Sequence, residues 1–181
     1  MSIIRYLFVL GLLLQTKPIL AETIAGRVSG IDDGATLIVM DNARVAHKIR
    51  LAAIDAPEST QPFSKESKQH LSALVLGKEV KVEWRQRDRY GRIVGKLTSQ
   101  TPQCATCPKT LDAGLAQLEA GLAWWDRDYR REQSLADQGY YEYAEFDAKA
   151  RRIGLWQDAA PIPPWEWRKK SRTVARLITS R

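Results

Sequence analysis

Between residues 23 and 51, apolar and polar positions alternate in short runs separated by Gly26, Gly30, Gly34 and the pair Asp41-Asn42. A two-residue period with turn formers between the runs predicts three short strands, clearest over residues 35–40 and 45–51. The period then changes. Leu71, Leu74 and Val75 recur at helical spacing and Gly77 supplies a stop signal, which predicts a helix over residues 64–76. Val80, Val82 and Trp84 alternate with charged residues, as in a half-buried strand. The turn Asp88-Arg89-Tyr90-Gly91-Arg92 joins it to a hairpin partner over residues 93–98. Two more helices follow, a short one over residues 111–120 ended by Gly121, and a longer one over residues 133–152. In the longer helix Ala136, Tyr140, Tyr143, Ala144 and Ala148 fall close to one face, which is expected to be core, the alternative being that Tyr140, Tyr141 and Tyr143 stack on bases. The pattern describes an α+β domain with a mainly β core, about five strands and about three helices.

A Pro-rich stretch, Pro161-Ile162-Pro163-Pro164, precedes a basic end that contains Arg168, Lys169, Lys170 and Arg172. That end is expected to be either a solvated terminus, beyond about Ser171, or a patch for an anionic partner. Residues 1–21 begin with Arg5, continue through an apolar run and finish Lys17-Pro18-Ile19-Leu20-Ala21. This is the anatomy of a signal peptide, and the run is too short to span a bilayer. The expected division is a signal peptide over 1–21, a domain over 22–160, and a Pro-rich then basic tail over 161–181. Export implies a periplasmic or secreted protein with no membrane span after cleavage.

The chain has 181 residues and a formal net charge of +7. Hydrophobic content of 44% and charged content of 27% are those of a globular domain and exclude disorder and multi-pass membrane architecture. The charge is unevenly placed. Residues 22–165 hold 20 basic and 20 acidic residues, so the excess lies in the leader and the tail. With only two cysteines and two histidines, a structural zinc site lacks ligands. Cys104 and Cys107, in a turn-rich loop, are expected to form a small disulfide in an oxidising compartment. The redox alternative would require a strand-to-helix junction near a βαβ unit.

Three segments concentrate chemistry: Asp32-Asp33-Gly34-Ala35-Thr36, residues 50–58 and residues 88–92. In the second, Arg50 lies inside an apolar strand, and Asp55 and Glu58 flank Pro57, which ends ladder pairing. A carboxylate pair at a strand end suits a hard cation, and equally an ion pair from Arg50 to Asp55 or Glu58 that pins the loop. Strict alternation places Arg50 and Asp55 on opposite faces, so a shared site requires the strand to end or bulge between them.

The ordered set Asp-Gly-x-Thr at 33–36, Ile-Arg-Leu-x-x-Ile-Asp-x-Pro-Glu at 49–58, Asp-x-Tyr-Gly-Arg at 88–92, Gly-Leu-Ala at 121–123 and Gly-Leu-Trp at 154–156 resembles the staphylococcal-nuclease-like (thermonuclease) family. The resemblance implies a five-stranded OB-fold barrel with accompanying helices. It also implies a calcium-dependent nuclease that hydrolyses DNA and RNA with low sequence preference and leaves 3′-phosphate ends. Carried over by position, Arg50, Glu58 and Arg92 match catalytic residues. Asp55 matches a Ca2+ ligand, and Ala56 one that offers its backbone carbonyl. Arg89 and Tyr90 match residues near the nucleotide phosphate, and Tyr129 a nucleotide-contacting tyrosine. Two positions depart from the pattern. Ala35 stands where the family has a calcium-binding aspartate, which implies a weaker metal site unless Asp32 or Asp33 compensates. Arg127 stands where the second nucleotide-contacting tyrosine falls, and arginine can also stack on a base. The departures leave a rival open, an OB module that binds nucleic acid but cleaves weakly or not at all. No stable protein partner is evident, and a monomer is expected.

Overall fold

A computed structural model describes residues 21–100 and 110–179. Cys104 and Cys107, with the expected disulfide, and residues 1–20 of the expected signal peptide lie outside the described residues.

Five strands form the core sheet: β1 (Glu22–Ile31), β2 (Thr36–Asp41), β3 (Ala46–Leu51), and, after two short elements, β5 (Glu79–Arg87) and β6 (Ile93–Ser99). They pair antiparallel in the order β3-β2-β1-β5-β6, and a parallel β3–β6 pairing closes the sheet into a barrel. The closing register sets Ile49 beside Ile93, Arg50 beside Val94 and Leu51 beside Gly95. Alternation decides what points inward. Leu37, Val39, Ile49, Leu51, Val80, Val82, Ile93 and Leu97 are fully buried, while Lys81, Glu83 and Lys48 between them are exposed. The five-stranded barrel expected from the sequence is therefore present, in the arrangement of an OB-fold.

β3 stops at Leu51, and Ala53 takes a left-handed backbone conformation (φ 52°) before the two-residue β4 (Ile54–Asp55). The chain thus breaks between Arg50 and Asp55 at Ala52-Ala53, before Pro57 is reached. β4 pairs with β8 (Trp124–Trp125) in a separate small sheet. This is how Asp55 leaves the face that strict alternation would have given it.

Helix α1 (Ser64–Val75) buries Ser67, Leu71 and Val75. β7 (Leu111–Asp112) extends the main sheet and leads into α2 (Ala113–Glu119), whose N-cap is the Asp112 carboxylate. Gln117 of α2 donates to the carbonyls of Gly34 (2.6 Å) and Ser67 (3.0 Å), tying the 32–34 turn to α1. A Cβ on Gly34 would lie 1.8 Å from the Ser67 hydroxyl, so close packing of helix on turn requires glycine there.

Helix α3 (Leu135–Ala150) buries Tyr141, Ala144, Glu145 and Ala148. The sequence pattern placed Tyr140 and Tyr143 on the buried face, and both are exposed instead. Polar anchors turn the helix. The Tyr141 hydroxyl donates to Asp112 (2.9 Å), and the Glu145 carboxylate accepts the Trp125 N–H (3.1 Å) with Arg127 and Lys149 around it. Lys96 of β6 fixes the start of α3 through Asp137 (2.5 Å). Burial opposes ionisation of Asp137, but hydrogen bonds from Lys96 and Ser134 outweigh it and hold the carboxyl below its ordinary value. A lowered folded-state value favours folding above the usual aspartate range, and that contribution is lost as pH falls through it. Asp137→Asn is expected to cost about 1 kcal/mol at neutral pH and to flatten the acid limb of the stability profile. Urea midpoints at pH 7 and pH 3 test this, and equal losses at both would contradict it.

After a 3-10 turn at Gly154–Gln157, the Pro-rich stretch leads into a fourth helix, α4 (Pro164–Thr179). The basic end is therefore helical through Thr179, and Ser171, Arg172 and Thr173 are exposed, so the terminus is solvated there as expected but carries helix rather than coil. None of the described helices is long and apolar enough to cross a membrane.

Candidate active site

The site forms where the barrel closes, from the end of β3, the β5–β6 hairpin turn, the loop after β4 and the 3-10 helix Arg127–Glu132. Arg50, on β3, pairs with Glu132, with both side chains largely buried. The second oxygen of Glu132 accepts the N–H of Ala53 (2.8 Å), so one carboxylate holds the arginine and the break that follows it. Burial pushes the Glu132 carboxyl up, and the Arg50 charge and Ala53 N–H act against that. The Arg50 guanidinium also lies 5.2 Å from the centre of the exposed Tyr129 ring.

Arg92 is set by its own turn. Asp88 accepts the backbone N–H groups of Tyr90 (2.9 Å) and Arg92 (3.0 Å), and its other oxygen accepts Arg92 Nε (2.7 Å). Gly91 at φ 79° completes the loop. The guanidiniums of Arg89 and Arg92 lie 4.9 and 5.6 Å from the Tyr90 ring, which is well exposed. Tyr90 and Tyr129 thus present aromatic faces beside arginines, a pairing suited to bases and phosphates.

Asp55 and Glu58 do not pair with Arg50. Both meet Arg168 of α4, whose Nη2 is 2.8 Å from Asp55 and whose Nη1 is 2.6 Å from Glu58. The two carboxylates therefore converge on one guanidinium. Burial raises the Asp55 carboxyl above its ordinary value, the bond from Arg168 opposes this, and the charges of Asp126 and Glu58 add to it. Asp126, just after β8, donates its backbone N–H to Ala53 (2.9 Å). The Glu58 loop is also tied to the C-terminal segment. Gln61 accepts the Glu58 N–H (2.8 Å) and donates to the Ile162 carbonyl (2.9 Å).

Other expected residues lie elsewhere or serve other ends. Asp33 accepts the Ala35 N–H (2.8 Å) within its own turn, and Asp32 pairs with Lys48 (2.6 Å). Ala35 is buried and packs in the barrel core. Arg127 stays half exposed but is engaged within the chain, 3.0 Å from Glu145 and 4.6 Å from the Trp125 ring, so it buttresses α3 in this arrangement. Ala56 is buried.

The divalent cation implied by the resemblance does not fit this arrangement. Ala35 removes one acid, Asp33 is engaged in its turn, and Arg168 occupies both remaining carboxylates. Among the described residues no group of three His, Cys, Asp or Glu side chains is placed to hold a metal.

Glu132, Asp126 and Arg168 did not emerge from the sequence as site residues. Asp88 did so only as part of a turn motif.

Residues 48–158 match the family model described as Staphylococcal nuclease homologue. An "Uncharacterized endonuclease" of Escherichia coli is 37% identical over 161 residues, 89% of this chain and 95% of that one. A "Micrococcal nuclease" of Shigella flexneri is 36% identical, over 82% of this chain and 83% of its own length. A "Staphylococcal-like nuclease" of Arabidopsis thaliana is 36% identical, with 78% of this chain matching 40% of its length.

Proposed function

The chain belongs to the staphylococcal nuclease homologue family and is a nuclease, and from that premise we propose that it hydrolyses both DNA and RNA with low sequence preference, leaves 3′-phosphate ends and requires calcium. Placement in the periplasm or outside the cell, with residues 1–21 removed, is part of the same proposal. The observation that supports phosphodiester hydrolysis is the pair of positioned arginines, Arg50 held by Glu132 and Arg92 held by Asp88, at one end of the barrel.

Attack on a phosphodiester builds negative charge on the non-bridging oxygens. Arg50 and Arg92 offset that charge with planar forks whose orientation is fixed before the substrate arrives. Glu58, at the loop following β4, orients or deprotonates the attacking water once its carboxylate is free. Tyr90 and Tyr129 stack against bases, and Arg89 meets a neighbouring phosphate.

The test is digestion of single-stranded DNA by the mature protein, with calcium or with chelator. Hydrolysis that needs calcium and vanishes in Glu58→Ala is the expected result. Tight binding without cleavage at millimolar calcium would instead support the binding-only OB module, which the bond from Arg168 to Glu58 favours. Restoring the family's acid with Ala35→Asp is expected to lower the calcium needed for half-maximal hydrolysis. An unchanged requirement would show that another group already serves.

A further inference from the structure

The charge at the centre of the carboxylate pair comes from the chain itself. α4 reaches back across the barrel mouth and places one guanidinium on Asp55 and Glu58 together, from 113 and 110 residues away. The placement is supported on both sides. Trp167, the preceding residue, donates Nε1 to the Thr60 hydroxyl (3.1 Å) and lines an apolar recess with Pro62, Phe63, Trp124 and Leu155. Gln61 binds the Ile162 carbonyl at the approach to the helix. Arg168 is thus delivered by a docked segment, and its fork spans two carboxylates in a geometry that lysine lacks.

We propose that α4 is an intramolecular inhibitor: Arg168 occupies the cation position between Asp55 and Glu58, and calcium binds there only when α4 is displaced. The activity that this would restrain is the nuclease reading given above, on which the functional consequence rests. The reasoning is electrostatic and steric. Asp55 and Glu58 are the carboxylates that would hold a divalent ion, and a guanidinium already bonded to both would repel a calcium ion placed beside them. A carboxylate whose oxygen accepts a 2.6 Å bond from an arginine is also a poor base for water. Removing the arginine leaves two carboxylates that repel each other, which a divalent cation relieves. The same contact explains how the chain keeps both acids without the third acid that Ala35 replaces.

The inhibitor is testable with calcium alone. Isothermal titration calorimetry compares the full-length protein with Arg168→Gln, which removes the charge, and with Trp167→Ala, which removes the anchor but keeps Arg168. Both variants are expected to bind calcium at least roughly tenfold more tightly than the parent, because each frees the same charged ligands. Arg168→Lys is expected to fall between the parent and Arg168→Gln. Equal affinity in all four proteins, or no calcium binding in any, would overturn the inference. So would weaker binding in Arg168→Gln, since it would make the arginine a support for the metal site. Because affinity is read without cleavage, the two conclusions separate. Tighter calcium binding with uncut DNA would sink the nuclease reading and keep the inhibitor. Calcium-dependent cleavage with unchanged affinity would do the reverse.

Discussion

Arg50→Ala is expected to slow hydrolysis of single-stranded DNA by about a hundredfold or more, as removal of a preorganised charge at a developing oxyanion typically does. Most of the loss should fall on kcat, since the guanidinium meets charge that grows in the transition state. Arg50→Lys should recover little, because a point charge on a flexible stem cannot reproduce the fork that Glu132 holds. Glu132→Gln gives the finer test of positioning. The amide keeps an acceptor for the Ala53 N–H and loses the charge that aligns Arg50. A loss of roughly tenfold is expected, the equivalent of one charge-assisted hydrogen bond. Steady-state kinetics on the folded variants, with far-UV circular dichroism as the control, decide the matter. An Arg50→Ala protein within threefold of the parent rate would remove this arginine from the chemistry.

The largest expected effect on stability lies away from the site, where two short motifs meet. Gly121 and Gly154 both have left-handed backbones (φ 64° and 55°), and the Leu155 N–H donates to the Gly121 carbonyl at 2.8 Å. A Cβ on Gly154 would lie 2.2 Å from the Gly121 oxygen, and one on Gly121 would lie 2.4 Å from the Ile153 oxygen. Each alanine would carry the left-handed cost of about 1–2 kcal/mol and an overpacking cost of about 1–3 kcal/mol against backbone that cannot swing away. Gly154→Ala should therefore lose about 2–5 kcal/mol in urea unfolding, with Gly121→Ala similar. The double variant should lose less than the sum, because both substitutions strain one contact. A loss below 1 kcal/mol in either single variant would mean that the two turns can part freely.

This contact shows why Gly-Leu-Ala and Gly-Leu-Trp looked like separate signatures in the sequence. Each reads locally as a glycine followed by apolar residues. Their shared cause, one close backbone approach between the end of α2 and the turn after α3, spans more than thirty positions and leaves no periodic trace.

Local rules carried much of the rest. Alternation located the barrel strands, because the two-residue period records which side of a sheet is dry. The Asp88 to Arg92 turn could be read as a hairpin because its side-chain and glycine chemistry act within five residues. Helical spacing located α1, α2 and α3 but misjudged the rotation of α3. Tyr140 and Tyr143 look like core residues by composition, and the polar anchors at Tyr141 and Glu145 that turn them outward are not apolar. The break between Arg50 and Asp55 was required by alternation, but its position at Ala53 was not, since alanine seldom marks a left-handed turn.

The residue types of the site, two arginines and two carboxylates at a strand end, a turn and a loop, were determined by the sequence alone. Which charges face each other was decided only by the tertiary structure. Arg50 finds Glu132 from 82 residues away, and Asp55 and Glu58 find Arg168 from the far end of the chain. Ion pairs act through space and impose no period along the chain, so the barrel had to close and α4 had to dock before any of these partners met.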